Sequence, residues 1–190
     1  ITKPASSQKQ AAVMVGISAK RFDILPLQHI ENNFNDDETE KLIPESLSRE
    51  GPAVLYEDLD ADGIKDLIIG GAHGHPTKIL RGSTNGTFEN LEVADFTRDS
   101  RYEDVSVATI DFDGDGDRDI YIASGGSVAK ELDKLLEDRI YLNNGNMEFR
   151  RIPLSLPHTN ASVVTVADFD QDGFEDIFIG ARSIPGSYGL

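Results

Sequence analysis

The sequence predicts an all-β fold made of repeated four-stranded antiparallel units, and three observations carry that expectation. The nine-residue pattern Asp-x-Asp-x-Asp-Gly-x-x-Asp occurs three times, at residues 58–66, 111–119 and 168–176. Each copy runs straight into an apolar segment, Leu67-Ile68-Ile69, Ile120-Tyr121-Ile122 or Ile177-Phe178-Ile179, rich in the β-branched residues that suit a pleated surface. Behind the first two copies stands an Asn-Gly turn signal, Asn85-Gly86 and Asn144-Gly145, flanked by further strand-like runs. From Asp58 to Asp111 is 53 residues and from Asp111 to Asp168 is 57. A period in this range with four strands per unit is that of a β-propeller. Two full repeats and partial ones at the ends fall short of the four to eight blades of a closed ring, so the expected fold is an incomplete propeller of about three repeats.

The elements follow in order. Residues 1–10 are polar, with Pro4, Ser6 and Ser7, and read as a flexible tail. Residues 11–52 read as a partial blade: strands at 11–17 and 21–25, then a polar, acidic loop over 32–45 with a helical turn at 37–42. The first full repeat, 53–104, opens with a strand at 53–56. The first Asp loop leads to a strand at 67–70, which pairs antiparallel across so short a connection. A strand at 78–81, a turn at 83–86 and a strand at 87–93 complete it. The second repeat, 105–160, has strands at 105–110 and 120–123. An insertion at 128–138 follows, with helical spacing of Leu132, Leu135 and Leu136, then a strand at 139–142, a turn at 143–146 and a strand at 148–152. The partial third repeat, 161–190, keeps strands at 162–167 and 177–180 around its loop.

Four Asp in nine residues point to a hard cation. Calcium takes six to eight oxygen ligands, and carboxylates at alternate positions of a tight loop can converge on one ion. The candidate side-chain ligands are Asp58, Asp60, Asp62 and Asp66 in the first loop, Asp111, Asp113, Asp115 and Asp119 in the second, and Asp168, Asp170, Asp172 and Asp176 in the third. Position seven offers a backbone carbonyl, from Ile64, Asp117 or Phe174, and the Gly at position six permits the turn that brings it round. An EF-hand is excluded: it needs an acidic residue at position twelve, where this chain has Ile69, Ile122 and Ile179, and helical flanks. Magnesium fits less well, because it retains more of its water. Acidic β-turns would explain the Gly and one Asp of each loop, but not four carboxylates whose mutual repulsion, at a separation of about 4 Å, is roughly 1 kcal/mol per pair even in bulk water. Three calcium ions are therefore expected.

A formal net charge of −16 disfavours nucleic-acid and anionic-membrane partners. Three calcium ions would return six charges and leave −10, so the surface stays acidic when loaded. The chain has no Cys, no apolar run long enough to span a membrane and no signal-peptide pattern. Its start at Ile1 reads as processed or excised. Loops of this type suit compartments rich in calcium, so the expected location is extracellular, cell-surface or periplasmic.

The loops, with the strand ends Ile69-Gly70, Ile122-Ala123 and Ile179-Gly180, resemble FG-GAP/VCBS repeats, as in integrin α-chain propellers and cartilage acidic protein. A bacterial branch of that family is similar in Leu42-Ile43-Pro44 through Gly51-Pro52, in Gly70-Gly71-Ala72, in Asp138-Arg139-Ile140-Tyr141-Leu142-Asn143, and in Phe178-Ile179-Gly180-Ala181-Arg182 with Pro185-Gly186-Ser187-Tyr188. The resemblance covers residues 32–190. It implies calcium between the first two strands of each blade, and ligand contacts on the face opposite the calcium loops, as in integrins. Because an unclosed stack exposes strand edges and apolar surface, the preferred expectation is that the chain is a fragment of a longer propeller protein; the alternative is self-association, in which the N-terminal strands complete the blade begun by residues 162–181, in the same chain or a partner.

The expected function is a non-enzymatic, calcium-dependent module for protein or glycan interaction, adhesion-like, with calcium structural. The alternative is a non-catalytic propeller domain of a larger polysaccharide- or surface-processing enzyme. Smaller signals carry less. His73-Gly74-His75 reads as a turn rather than half a zinc site, and His29 with Glu31 carries no more. Glu103 and Asp104 read as solvated acids, since neighbours on a strand face opposite ways. Asn85-Gly86-Thr87 and Asn160-Ala161-Ser162 match the glycosylation pattern but read as silent in a bacterial sequence. No nucleophile–base constellation or phosphate-cradling loop stands out in the sequence.

Overall fold

The computed structural model describes residues 27–185, apart from residues 40, 43, 45, 46, 130–132 and 157. The strands expected at 11–17 and 21–25 lie outside the described residues. Within them the architecture is three antiparallel sheets in sequence order. The first comprises β1 (Val54–Glu57), β2 (Asp66–Ile69), β3 (Lys78–Gly82) and β4 (Phe88–Leu91), in the order β1-β2-β3-β4. The second repeats that order with β5 (Asp104–Ile110), β6 (Asp119–Ser124), β7 (Arg139–Leu142) and β8 (Arg150–Arg151). The third holds two strands, β9 (Ala161–Ala167) and β10 (Asp176–Ala181). These are the propeller-type units that the repeat period predicts, in an unclosed set.

Side chains that alternate on a strand face opposite sides of its sheet, and here the sides are neighbouring units. Leu55, Ile68, Ile79 and Leu91 of the first unit pack with Val107, Ile120, Ile122 and Tyr141 of the second. The other side of the second unit, through Ala108, Tyr121, Ala123 and Ile140, packs against Ala161, Val164, Val166, Ile177 and Ile179 of the third. The second unit is thus sandwiched, and every residue of β6 is buried.

Three local differences from the sequence reading have physical causes. The strand expected over 87–93 stops at Leu91, and a short helix α2 (Ala94–Arg98) follows. Its buried Phe96 sits edge-on to Tyr141, with centroids 4.8 Å apart. Five residues are too few to show a helical period. β8 is only two residues long, because Met147 turns inward at φ +60° and is buried. In the 128–138 insertion the described part is a 3-10 turn, Lys134–Leu136, with Asp133 accepting the Leu135 N–H at 3.0 Å. The helical turn expected over 37–42 is present as α1 (Asp36–Thr39).

The solvated reading of Glu103 and Asp104 is overturned. Asp104 is buried and accepts from Gly71 N–H (2.7 Å), Thr77 Oγ1 (2.6 Å) and Arg139 Nη2 (2.5 Å). Arg139, itself buried, lies 4.2 Å over the Tyr102 ring. The segment after β2 folds over the start of β5, and Gly70 lets it come so close, since a Cβ there would lie 2.9 Å from the Asp104 Cβ; at Gly71 a Cβ would lie 2.1 Å from the His75 carbonyl oxygen, so the segment's own turn also requires glycine. Burial pushes the Glu103 carboxyl up to about 7, although its Oε2 accepts from His73 N–H and Asn32 Nδ2.

Two predictions follow from these groups. Arg139→Met leaves Asp104 buried without its cation and should cost about 3–5 kcal/mol in urea denaturation; adding Asp104→Asn should restore part of the loss. The folded pKa of Glu103 is raised above its ordinary 4.5, so the unfolded chain gives up this proton first and stability falls as pH rises from about 4.5 to about 7. Glu103→Gln keeps an acceptor for both donors and does not titrate. At saturating calcium it should match the parent near pH 4 and exceed it by about 2–3 kcal/mol at pH 8, read from parallel melts across that range.

Candidate metal centres

The three Asp loops share one backbone plan. The N–H of position two donates to the carboxylate of position nine: Leu59 to Asp66 at 2.9 Å, Phe112 to Asp119 at 2.8 Å, Phe169 to Asp176 at 3.0 Å. The N–H of the position-six Gly donates to the first Asp: Gly63 to Asp58 at 2.8 Å, Gly116 to Asp111 at 3.2 Å, Gly173 to Asp168 at 3.0 Å. The N–H of position seven donates to the fifth residue: Ile64 to Asp62 at 2.7 Å, Asp117 to Asp115 at 2.9 Å, Phe174 to Asp172 at 2.9 Å. Turning successive N–H groups inward needs left-handed backbone at position six, where φ is +85°, +93° and +94°. It is also needed at position four, where Ala61, Gly114 and Gln171 have φ of +57°, +78° and +64°. Only the second loop has Gly at both places.

This plan gathers carboxylate oxygens. In the first loop Asp58, Asp60 and Asp62 each bring one oxygen into a group within 4.8 Å of one another; in the second Asp111, Asp113 and Asp115 do so, and in the third Asp168, Asp170 and Asp176. Calcium–oxygen distances of about 2.3–2.6 Å place opposite ligands about 5 Å apart, so the groups have the size of a calcium shell and an oxygen-only donor set. Asp60 adds a sharper sign. Its Oδ2 pairs with Arg81 Nε at 3.1 Å, while its Oδ1 is buried with no hydrogen-bond partner. A buried carboxylate oxygen without a donor is costly, and a cation in the loop would satisfy it.

The ninth carboxylate behaves differently in the complete units. Asp66 and Asp119 stand apart from the convergent groups, buried at the base of their loops, and each accepts a second N–H from the residue that ends or follows the third strand: Gly82 to Asp66 at 2.9 Å, Asn143 to Asp119 at 2.8 Å. Burial raises both pKa values; the N–H donors oppose it, and the loop carboxylates nearby raise them further. The position-seven carbonyls belong to residues whose own N–H groups anchor the turn. Asp172, expected as a ligand, lies outside its loop's gathered oxygens and accepts from Phe174 N–H.

Residues outside the motif tie the loops together. Asn143 Nδ2 donates to the Leu59 carbonyl at 2.8 Å, fastening the first loop to the second unit. Arg81 reaches the Asn146 carbonyl as well as Asp60. Glu175 Oε2 accepts from Arg118 Nη1 at 2.7 Å and Asp111 N–H at 3.2 Å, joining loops two and three and holding the Glu175 carboxyl below its ordinary range. None of these roles was read from the sequence. The one available signal was the charge alternation at position eight, Arg118 against Glu175. His73-Gly74-His75 is a turn, closed by His75 N–H to the Ala72 carbonyl at 2.8 Å. His29 pairs with Glu31 at 2.9 Å. Among the described residues, the three Asp loops are the groups able to hold a metal ion.

A family model described as an FG-GAP-like repeat matches residues 58–122 and again residues 111–179. Both matches begin on the first Asp of a loop and end within the second strand of the following unit. Among curated proteins none matches the chain.

The strained fourth position gives a prediction. A left-handed non-Gly residue costs about 1–2 kcal/mol, while Gly carries extra unfolded-state entropy. Ala61→Gly should therefore stabilise the chain by about 1 kcal/mol, and Gly116→Ala should destabilise it by at least that much, both read by calcium-saturated thermal melts.

Proposed function

This chain belongs to the FG-GAP-like repeat family, and on that footing we propose that it is a calcium-dependent, non-catalytic binding or scaffold module that works outside the cytosol. The observation that carries the metal reading is the buried, partnerless Oδ1 of Asp60, set in a loop whose plan recurs twice more. Calcium suits the all-oxygen donor set and the compartment better than magnesium, which demands a near-ideal octahedron and keeps its water.

When bound, the ion supplies charge neutralisation rather than chemistry. The chain's own residues do the positioning: backbone N–H groups hold the carboxylates, and Asp66 and Asp119 fasten each loop to the third strand of its sheet. A non-catalytic role is favoured because the two carboxyl groups pushed highest are engaged inside the fold. Glu103 is held by Asn32 and His73, and Asp138, raised to about 6 by burial, accepts from Tyr121 and from Ser124 N–H. Protein or glycan recognition falls to the connections on the side away from the Asp loops. Among the described residues no helix is long and apolar enough to cross a membrane.

Calorimetric calcium titration of the EDTA-stripped chain tests this reading. About three ions per chain are expected, one for each loop, with a rise in melting temperature; a site held at 100 times its Kd adds about 2.7 kcal/mol. Asp113→Ala should remove one ion and lower the calcium-dependent melting temperature. Unchanged stoichiometry and melting in that variant would remove the second loop from the list of sites.

A further inference from the structure

We propose that the second and third Asp loops take up calcium cooperatively, with the Arg118–Glu175 pair as the link between them. This coupling rests on the metal reading of both loops and goes a step beyond it. Arg118 and Glu175 hold the same place, position eight, in their loops. Each stands between position seven, which offers a carbonyl, and position nine, whose carboxylate is the clamp in loop two (Asp119) and one of the gathered oxygens in loop three (Asp176). Glu175 Oε2 accepts from Arg118 Nη1 at 2.7 Å and from the N–H of Asp111, the first gathered residue of loop two, at 3.2 Å. One carboxylate of loop three thus holds both a cation and a backbone donor of loop two.

Arg118 is what gives the contact a consequence, because it carries a positive charge into a loop built to hold another. Besides Glu175, the negative groups acting on its guanidinium are Glu57 and Asp111, and Asp111 is a gathered carboxylate of Arg118's own loop. Two arrangements therefore compete. Paired with Glu175, Arg118 is neutralised at the side of loop two and leaves Asp111 to the ion. Released from Glu175, it turns to the carboxylates of its own loop and competes with calcium for them. Which arrangement holds depends on Glu175, whose backbone is fixed only as firmly as loop three is. In that loop four carboxylates repel one another until a cation enters. Filling loop three therefore sets Glu175 in place and draws Arg118 off loop two.

Linkage makes the coupling reciprocal: whatever factor calcium in loop three gains for loop two, calcium in loop two gains for loop three. The pair itself bounds the size of the effect. Arg118 and Glu175 are 35% and 34% exposed, and ion pairs this open are modest, which points to about fivefold, the low end of common couplings. The same modest strength lets the pair open when loop three is empty. Direct repulsion between the two bound ions opposes the effect, and salt at about 0.15 M screens it beyond about 8 Å.

Calcium titration of the whole chain at that salt, followed by amide NMR, is the test. Gly63, Gly116 and Gly173 each donate their N–H to the first Asp of one loop, so one amide reports each site. Asp170→Ala takes a gathered carboxylate from loop three and should weaken calcium binding at loop two about fivefold. Glu175→Gln keeps an acceptor for Asp111 N–H but loses the charge. It should weaken loop two by a similar factor, and Asp170→Ala should then add nothing. Arg118→Gln removes the competing cation: loop two should bind at least as tightly as in the parent, and Asp170→Ala should no longer affect it. A Gly63 resonance unmoved in the calcium-free state shows that each variant is folded. Loop-two midpoints that ignore Asp170→Ala, or that shift equally with and without Arg118, overturn the proposal and leave the metal reading intact. Gly116 and Gly173 resonances that do not respond to millimolar calcium overturn both.

Discussion

Twelve motif carboxylates, one at each of the four Asp positions shared by the three nine-residue loops, have to be held together at one end of three hairpins, and the rest of the structure is arranged around that constraint. Two unit charges about 4 Å apart repel by roughly 1 kcal/mol in water and about 4 kcal/mol at an effective dielectric of 20. The backbone answers first. Positions two, six and seven turn their N–H groups onto the carboxylates in every copy. Such hydrogen bonds to charged groups contribute about 1.5–3 kcal/mol each, enough to fix the loop's shape. They bring no net charge, so the repulsion persists until a cation enters. Left-handed backbone at positions four and six is the conformational cost of aiming the N–H groups, and the sequence meets it fully with Gly only in the second loop.

The ninth carboxylate links this local problem to the sheet. In both complete units it takes one N–H from inside the loop and another from the end of the third strand, so loop and sheet order each other. The third unit has no third strand among the described residues, and Asp176 has only its loop donor, Phe169. There the ninth carboxylate turns in with Asp168 and Asp170. The same residue type at the same motif position is thus a clamp where a third strand exists and part of the oxygen cluster where it does not. Loop geometry in this fold depends on how complete its blade is.

That dependence marks where the sequence stopped being legible. The three loops, the strands that leave them and the order of each sheet were readable, because they rest on local spacing: an Asp motif, a run of β-branched residues, an Asn-Gly turn. Gly63, Gly116 and Gly173 were read correctly as turn residues, but left-handed backbone at Ala61 and Gln171 has no local signature. Asn143, Arg81 and Glu175 were missed for a different reason. Each acts across a junction, on Leu59, Asn146 or Arg118, at separations of 57 to 84 residues, and a pattern read along one chain segment carries no information about its neighbour in space. Asp104 failed for a related reason: the alternation rule assigns it a face, but that this face meets Arg139 of its own sheet and Gly71 and Thr77 of the first unit is decided by residues 27 to 35 positions away.

The two internal junctions are built from different chemistry, and the difference bears on where the stack is firm. Where the first unit runs into the second, Asp104 pairs with Arg139 inside the second sheet and accepts from Gly71 N–H and Thr77 Oγ1 of the first unit, while Arg151 and Tyr141 hold Asp99 of the connecting segment. These groups surround an apolar cluster in which Phe96 and Tyr141 are in edge contact. A buried ion pair of this kind adds little net stability over an apolar replacement, but breaking it is expensive, so it fixes how the segment from the first unit, through Gly71 and Thr77, seats on the second sheet. Between the second and third units the contact is mainly of small and aliphatic residues, Ala108, Ala123, Ala161 and Val164. Its polar ties include Val164 N–H to Ser106 Oγ, Asp111 N–H to Glu175 and the partly exposed Arg118–Glu175 pair, and exposed ion pairs contribute about 0–1 kcal/mol. The first junction is keyed and the second is greased. The two described strands of the third unit are held mainly by apolar contact, and the Asp loop between them is the one whose ninth carboxylate turns in among the gathered oxygens.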